Sequence, residues 1–249
     1  LNKGHAATDI RVIEIDAAAR SRLAQQFKVA TAERIDAASV AADCIVLAIK
    51  PQNLRDVAGM LRPLLATQLV ISIAAGIRAG DISRWLGGYA RIVRAMPNTP
   101  ALVGLGQTGL FARASVAPAD RTSVEQVLAS TGECTWVQAE PLLDAVTALS
   151  GSGPAYFFYF IESMVRAGVA MGLTEAQAKQ LAVGTMAGAA ELARTSHDSP
   201  AVLREKVTSK GGTTYAALTH MAHLNVGAHF EEALEKARIR AAELGREFG

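Results

Sequence analysis

The chain has 249 residues, half of them hydrophobic, with 25 basic side chains against 23 acidic ones, enough for one large or two smaller globular domains. The near-even charge, with no Lys/Arg block interleaved with aromatics, argues against nucleic acid as a partner. The most apolar run, 154–161, is far shorter than the roughly 20 residues that span a bilayer, so no membrane segment is expected; Cys44 and Cys134 stand alone, which argues against a disulfide framework or zinc site and fits a reducing, cytoplasmic compartment.

The opening, LNKGHAATDIRVIEID, reads as a helix tail, a glycine stop at Gly4, a loop and a strand, as though the true start lay upstream. β-branched runs at 10–15, 44–49, 69–73 and 91–96 then alternate with helical segments such as 17–27 and 53–66. Such alternation predicts βαβ units and a mostly parallel sheet, with strands apolar on both faces because helices cover each side. Two more strands, near 109–113 and 134–138, bracket a helix that Pro118 opens at its first turn.

Beyond Glu140 the strand signals stop. Ser152, Gly153 and Pro154 mark the start of a long helix to about Gly172, and Thr174 with Gln177 forms a capping box for another that reaches about Arg194. The last helix sets Phe230, Leu234, Ala237, Ala241, Leu244 and Phe248 on one face. The pattern predicts an α/β domain over 1–140 and an all-helical domain over 141–249. The helical half is rich in Ala and Gly and carries more apolar stripe than a small bundle can bury, so self-association is expected.

One G-x-G-x-x-G occurs, Gly104 to Gly109, but it follows a loop and leads into a strand. A phosphate-binding fingerprint follows a strand and opens a helix, so this match reads as a turn and strand. The glycine loop of such a domain would join its first strand to its first helix, ahead of where this sequence opens. Open parallel sheets bind ligands at the carboxyl ends of their strands. Three such ends here carry small or stiff residues: Ala48, Ile49, Lys50 and Pro51; Ile73, Ala74, Ala75 and Gly76; Pro97, Asn98, Thr99 and Pro100. Together they read as a dinucleotide cleft. Glu14, or Asp16 beside it, could accept hydrogen bonds from an adenosine ribose and repel a 2′-phosphate, favouring NADH; either reads equally well as a solvated loop carboxylate. His220, His223 and His229 lack a carboxylate or cysteine at ligand spacing, so no metal site is expected.

Residues 207–218, VTSKGGTTYAAL, break helical material with two glycines and four hydroxyls. Gly211 and Gly212 permit a turn that aims successive N–H groups at one point, and a helix beginning near Thr214 adds unpaired donors and the positive end of its dipole. That describes a carboxylate cradle oriented by Thr208, Ser209, Thr213 and Thr214. A plain capped helix start fits the same residues.

LSGSGPAYFFYFIES (149–163), MGL (171–173), VTSKGGTT (207–214) and IVRAMPNTP (92–100), in that order, closely resemble pyrroline-5-carboxylate reductases. The resemblance implies reduction of 1-pyrroline-5-carboxylate to L-proline by NADPH or NADH, the last step of proline biosynthesis. It implies a Rossmann-type, doubly wound amino-terminal domain and a helical dimerisation domain, with dimers joined into larger rings such as a pentamer of dimers. It also implies cofactor contacts from Ala48, Ile49, Lys50, Pro51, Ile73, Ala74 and Ala75. Ser209, Gly211, Gly212, Thr213 and Thr214 would hold the substrate, with the Thr214 hydroxyl nearest the imine nitrogen. The chain departs from the family pattern at Lys210, where many members have proline, and at Ile35, where some have asparagine. A β-hydroxyacid dehydrogenase would share the two-domain plan but needs a lysine on the first long helix of its second domain, and 153–172 has none. A non-catalytic helical assembly module is the remaining alternative.

Overall fold

The computed structural model of the chain describes residues 5–249, so the stop expected at Gly4 lies outside the described residues. The chain forms two compact units: one runs to Ser152 and takes in Ala237–Gly249, and the other is Gly153–Lys236.

The first unit begins with two short parallel strands, β1 (Arg11–Ile13) and β2 (Ala30–Ala32), joined by α1 (Ala17–Phe27). A five-stranded sheet follows in spatial order β3 (Cys44–Leu47), β4 (Leu69–Ser72), β5 (Ile92–Met96), β6 (Gly106–Ala112) and β7 (Gly132–Trp136). The helices α2 (Pro51–Leu61), α3 (Ala79–Trp85) and α4 (Pro118–Leu128) connect its parallel strands. Only β5 and β6 run antiparallel. The loop between them, 97–105, is too short for the roughly dozen residues that a parallel crossover needs.

A pair of adjacent β-branched residues in each of β4 and β5 suits them to the buried middle of the sheet. Val70, Ile71, Ile92 and Val93 are fully buried, packed with Leu54, Ile77 and Ile82 on one side and Leu110, Val124 and Leu128 on the other. The expected burial of both faces fails at β3, where Val46 is 42% exposed. As the border strand of this sheet it has a neighbour on one side only. Pro118 opens α4 at its first turn, and the Asp120 carboxylate accepts the Ala117 N–H (3.2 Å). The glycines of the G-x-G-x-x-G match have local structural reasons: Gly104 takes a left-handed conformation at φ 74°, a Cβ on Gly106 would strike the Thr131 carbonyl at 2.5 Å, and one on Gly109 the Val146 side chain at 2.6 Å.

The second unit is helical: α6 (Gly153–Ala170), α7 (Glu175–Thr195), α8 (Pro200–Lys206), α9 (Thr213–His223) and the start of α10 (Val226–Phe248). It is preceded in the first unit by α5 (Leu142–Val146) and one π-helical turn, Thr147–Gly151. The capping box forms as expected, the Gln177 N–H donating to Thr174 Oγ1 (3.3 Å) and the Thr174 N–H to Gln177 Oε1 (3.0 Å). Phe230 meets Tyr156 and Phe160 edge-to-face at 5.7 and 5.8 Å. Few of this unit's apolar residues are covered: Phe158, Leu181 and Leu192 are each more than half exposed. The single apolar face predicted for α10 holds along its length, and its last turns belong to the first unit, where Ala241 and Gly245 are buried and Phe248 packs on the core.

Candidate active site

Strands β3, β4 and β5 are parallel and in register, Leu47 beside Ser72 and Ser72 beside Arg94. Their carboxyl ends therefore share one sheet edge, and the three expected loops leave from it. Lys50 sits at the N-cap of α2 without a side-chain cap, and Pro51 fills its first turn. The Ile73 N–H donates to the Leu47 carbonyl (3.2 Å), extending the ladder by one step before Ala74 and Ala75. Ala74 is buried and Ala75 half-buried, so a flat ligand could lie against the backbone there. Glu14 follows β1, and its Oε1 accepts the Asp16 N–H (2.9 Å). Asp16 is the N-cap of α1, accepting the Ala18 N–H (2.9 Å).

The loop carrying Asn98 is held from three sides. Asn98 Nδ2 donates to the Ser150 carbonyl (3.2 Å) and hydroxyl (3.1 Å), while Oδ1 accepts the Gln107 N–H (2.9 Å). Beneath the same edge lies a buried charge cluster that sequence reasoning missed. Arg94, 4% exposed, pairs with Glu140 (2.9 Å), which also accepts the Ala79 N–H (2.6 Å). Arg78 pairs with Asp144 (2.6 Å). Burial pulls the Arg94 guanidinium below its ordinary pKa, and the hydrogen bond to Glu140 opposes that pull. An arginine inside a β-branched strand, Arg94 among Ile92, Val93 and Ala95, was the available signal, since such a charge demands a partner.

In the second unit, the Gly212 N–H donates to the Ser209 carbonyl (3.0 Å), closing a four-residue turn with Gly211 at φ 74°. A positive φ at the third position alone defines a type II turn, with Lys210 at the second. Gly212 is the N-cap of α9, and the first helical bond runs from the Ala216 N–H to the Gly212 carbonyl (3.1 Å). The amides of Thr213, Thr214 and Tyr215 thus precede the helical ladder and have no partner within it. Helices α7 and α8 are capped by the side chains of Thr174 and Ser199, whereas α9 has no side-chain cap. Thr214 is half-buried, and the neighbouring Thr208 and Tyr215 line an open groove with Arg204, Leu218 and Thr219. The turn has the backbone conformation of the expected cradle, and Gly212 equally serves as an ordinary N-cap.

Among the described residues no cluster of His, Cys, Asp or Glu could hold a metal ion, and no helix is long and apolar enough to cross a membrane. Residues 140–244 match the family model described as pyrroline-5-carboxylate reductase dimerisation, and residues 1–76 the one described as NADP oxidoreductase, coenzyme F420-dependent. A pyrroline-5-carboxylate reductase of Pseudomonas aeruginosa is 41% identical over 248 residues, 99% of this chain and 91% of that protein. The chain belongs to the pyrroline-5-carboxylate reductase family. A solved pyrroline-5-carboxylate reductase from Coxiella burnetii is similar at a TM-score of 0.93 and 37% identity, covering 98% of this chain and 91% of that one. The Plasmodium falciparum pyrroline carboxylate reductase, solved with NADP bound, is similar at a TM-score of 0.82 and 27% identity, covering 97% and 100%. As in other pyrroline-5-carboxylate reductases, a mostly parallel Rossmann-type sheet is joined to a helical dimerisation domain.

Proposed function

We propose that this chain reduces the C=N bond of 1-pyrroline-5-carboxylate to give L-proline, with hydride from NADPH or NADH. Family membership supports the activity, and the start of α9 behind the Gly211 turn, without a side-chain cap, is the observation that favours this turn as the substrate site. The amides of Thr213 and Thr214 would hold the substrate carboxylate, with the Ser209 hydroxyl beside them and Gly211 and Gly212 shaping the turn, the Gly212 N–H being taken up by the Ser209 carbonyl. The Thr214 hydroxyl would hydrogen-bond the ring nitrogen and orient the imine. Ala48, Ile49, Lys50, Pro51, Ile73, Ala74 and Ala75 would hold the cofactor at the shared sheet edge, with the loop of Asn98 beside them and Glu14 toward its ribose. When bound, the dinucleotide supplies hydride. A protonated cyclic imine needs no metal and no strong base to accept hydride. Helix α6 lacks the lysine of the β-hydroxyacid dehydrogenase alternative.

The exposed apolar faces of the second unit support a homodimer, and a pentamer of dimers is the larger assembly we assign; light scattering of the purified protein measures both. A cytoplasmic location fits two free thiols, of which Cys44 has its pKa pushed up to about 11 by burial. The deciding assay follows loss of NADPH or NADH absorbance with pyrroline-5-carboxylate. Thr214→Ala should lower turnover about tenfold, the value of one well-aligned hydrogen bond to a charged group, and full turnover in that variant would remove the role assigned to its hydroxyl.

A further inference from the structure

We propose that Asn98, Gln107 and Ser150 form a brace that locks the loop after β5 to the π-turn before α6, making Asn98 a positioning residue for the nicotinamide end of the cofactor. The inference rests on the cofactor edge proposed above.

The orientation of the Asn98 amide is fixed by chemistry. The Gln107 N–H can only donate and the Ser150 carbonyl can only accept, so Oδ1 faces the first (2.9 Å) and Nδ2 the second (3.2 Å). Nδ2 also reaches the Ser150 hydroxyl (3.1 Å), which itself donates to the Gln107 carbonyl (3.4 Å) and closes the triangle. Both donors of the amide are therefore engaged within the protein.

The carbonyl that Asn98 takes up is one the helix cannot satisfy. In an α-helical ladder the Ser150 carbonyl would accept from residue 154, which is Pro154 and has no N–H. The π-helical turn is the local response: the Ser152 N–H reaches back five residues to the Thr147 carbonyl (2.8 Å), and the Ser150 carbonyl is left to the Asn98 side chain. π-Turns are uncommon and gather at functional sites. A second contact ties the same two segments, because a Cβ on Gly151 would lie 2.6 Å from the terminal methyl of Met96. The motif around Asn98 and the motif around Ser150 thus move as one piece, although they stand far apart in sequence.

The test uses the full-length protein with Asn98→Ala, Asn98→Asp and Ser150→Ala. Affinities for NADPH and for ADP-ribose, which lacks nicotinamide, are measured by calorimetry beside kcat, KM and the thermal midpoint. The brace predicts that Asn98→Ala loses kcat about tenfold or more and binds NADPH several-fold more weakly, while ADP-ribose binds as before. Asn98→Asp keeps the acceptor for Gln107 but turns a carboxylate on the Ser150 carbonyl, and should lose kcat to the same extent. Ser150→Ala should shift in the same direction by less, and it carries the test if Asn98→Ala does not fold. Equal weakening of NADPH and ADP-ribose, or wild-type kcat and NADPH affinity in Asn98→Ala, would overturn the brace alone. A wild-type protein that binds neither nucleotide would instead remove the cofactor reading, and the brace with it.

Discussion

Replacing Gly211 by alanine isolates the conformational requirement of the proposed carboxylate cradle. The residue sits at φ 74°, and a Cβ added there meets nothing within 4 Å, so the perturbation is torsional and not steric. Holding a non-glycine residue in the left-handed region costs about 1–2 kcal/mol. In the free protein the turn would relieve that cost by flipping the peptide between Lys210 and Gly211, which would point the cradle's amides away. Substrate must then bind the minor, competent fraction, so KM for pyrroline-5-carboxylate should rise about 5- to 30-fold while kcat at saturation stays within a fewfold. Gly88 supplies the control, because it lies at φ 92° with the same open space around it but in the first unit, so Gly88→Ala should leave KM unchanged. Initial rates of NADPH oxidation across a substrate range measure both variants. An unchanged KM in Gly211→Ala, or an equal rise in Gly88→Ala, would refute the cradle.

Lys210 occupies the second position of the same type II turn, where proline's fixed φ is preferred, so Lys210→Pro should stabilise the protein by about 0.4–1 kcal/mol and raise the thermal midpoint by roughly 1–4 °C with KM preserved. Arg94→Leu strips the half-buried Glu140 carboxylate of its buried cationic partner and should cost about 1–3 kcal/mol in urea unfolding, more than an exposed pair such as Arg194–Glu191 would. Asp120 is held below the usual carboxylate range by its hydrogen bonds from Arg91, at 2.6 and 3.1 Å. Its folded carboxyl therefore binds a proton less tightly than the unfolded one. The stability it contributes is complete above the ordinary carboxylate pKa and is lost as pH falls through that value toward the lower folded one. The stability gap between wild type and Asp120→Asn should accordingly be wide at neutral pH and close in acid, as read by denaturant titrations at several pH values.

The parts of the fold legible in the sequence are those where one local signal dominates. Short runs rich in β-branched residues marked β4 and β5, a proline in the first turn marked α4, and the three-four spacing of Phe230 to Phe248 marked the inward face of α10. Strand β2, built from Ala30, Thr31 and Ala32, has too little apolar contrast to stand out, and α3 is only two turns long. The start of β6 lies at Gly106, three residues before the expected run, because its first pairing, Gly106 with Gly132, depends on backbone approach and not on side-chain pattern. The candidate site divides in the same way. Glycines and hydroxyls announce the turn at 209–214 because conformation itself is the signal there. The partnership of Asn98 with Ser150 joins residues far apart in sequence, and only the proline four places beyond Ser150 hinted that a carbonyl needed an outside donor.

Helix α10 leaves the second unit at Lys236, and its remaining residues complete the first unit, with Phe248 on the hydrophobic core and Gly245 close against Gly76. On the ribosome these residues are translated after the whole of the second unit. The nucleotide-type unit, though encoded first, therefore cannot finish its core until the helical unit has been made, and the usual order of domain completion is reversed.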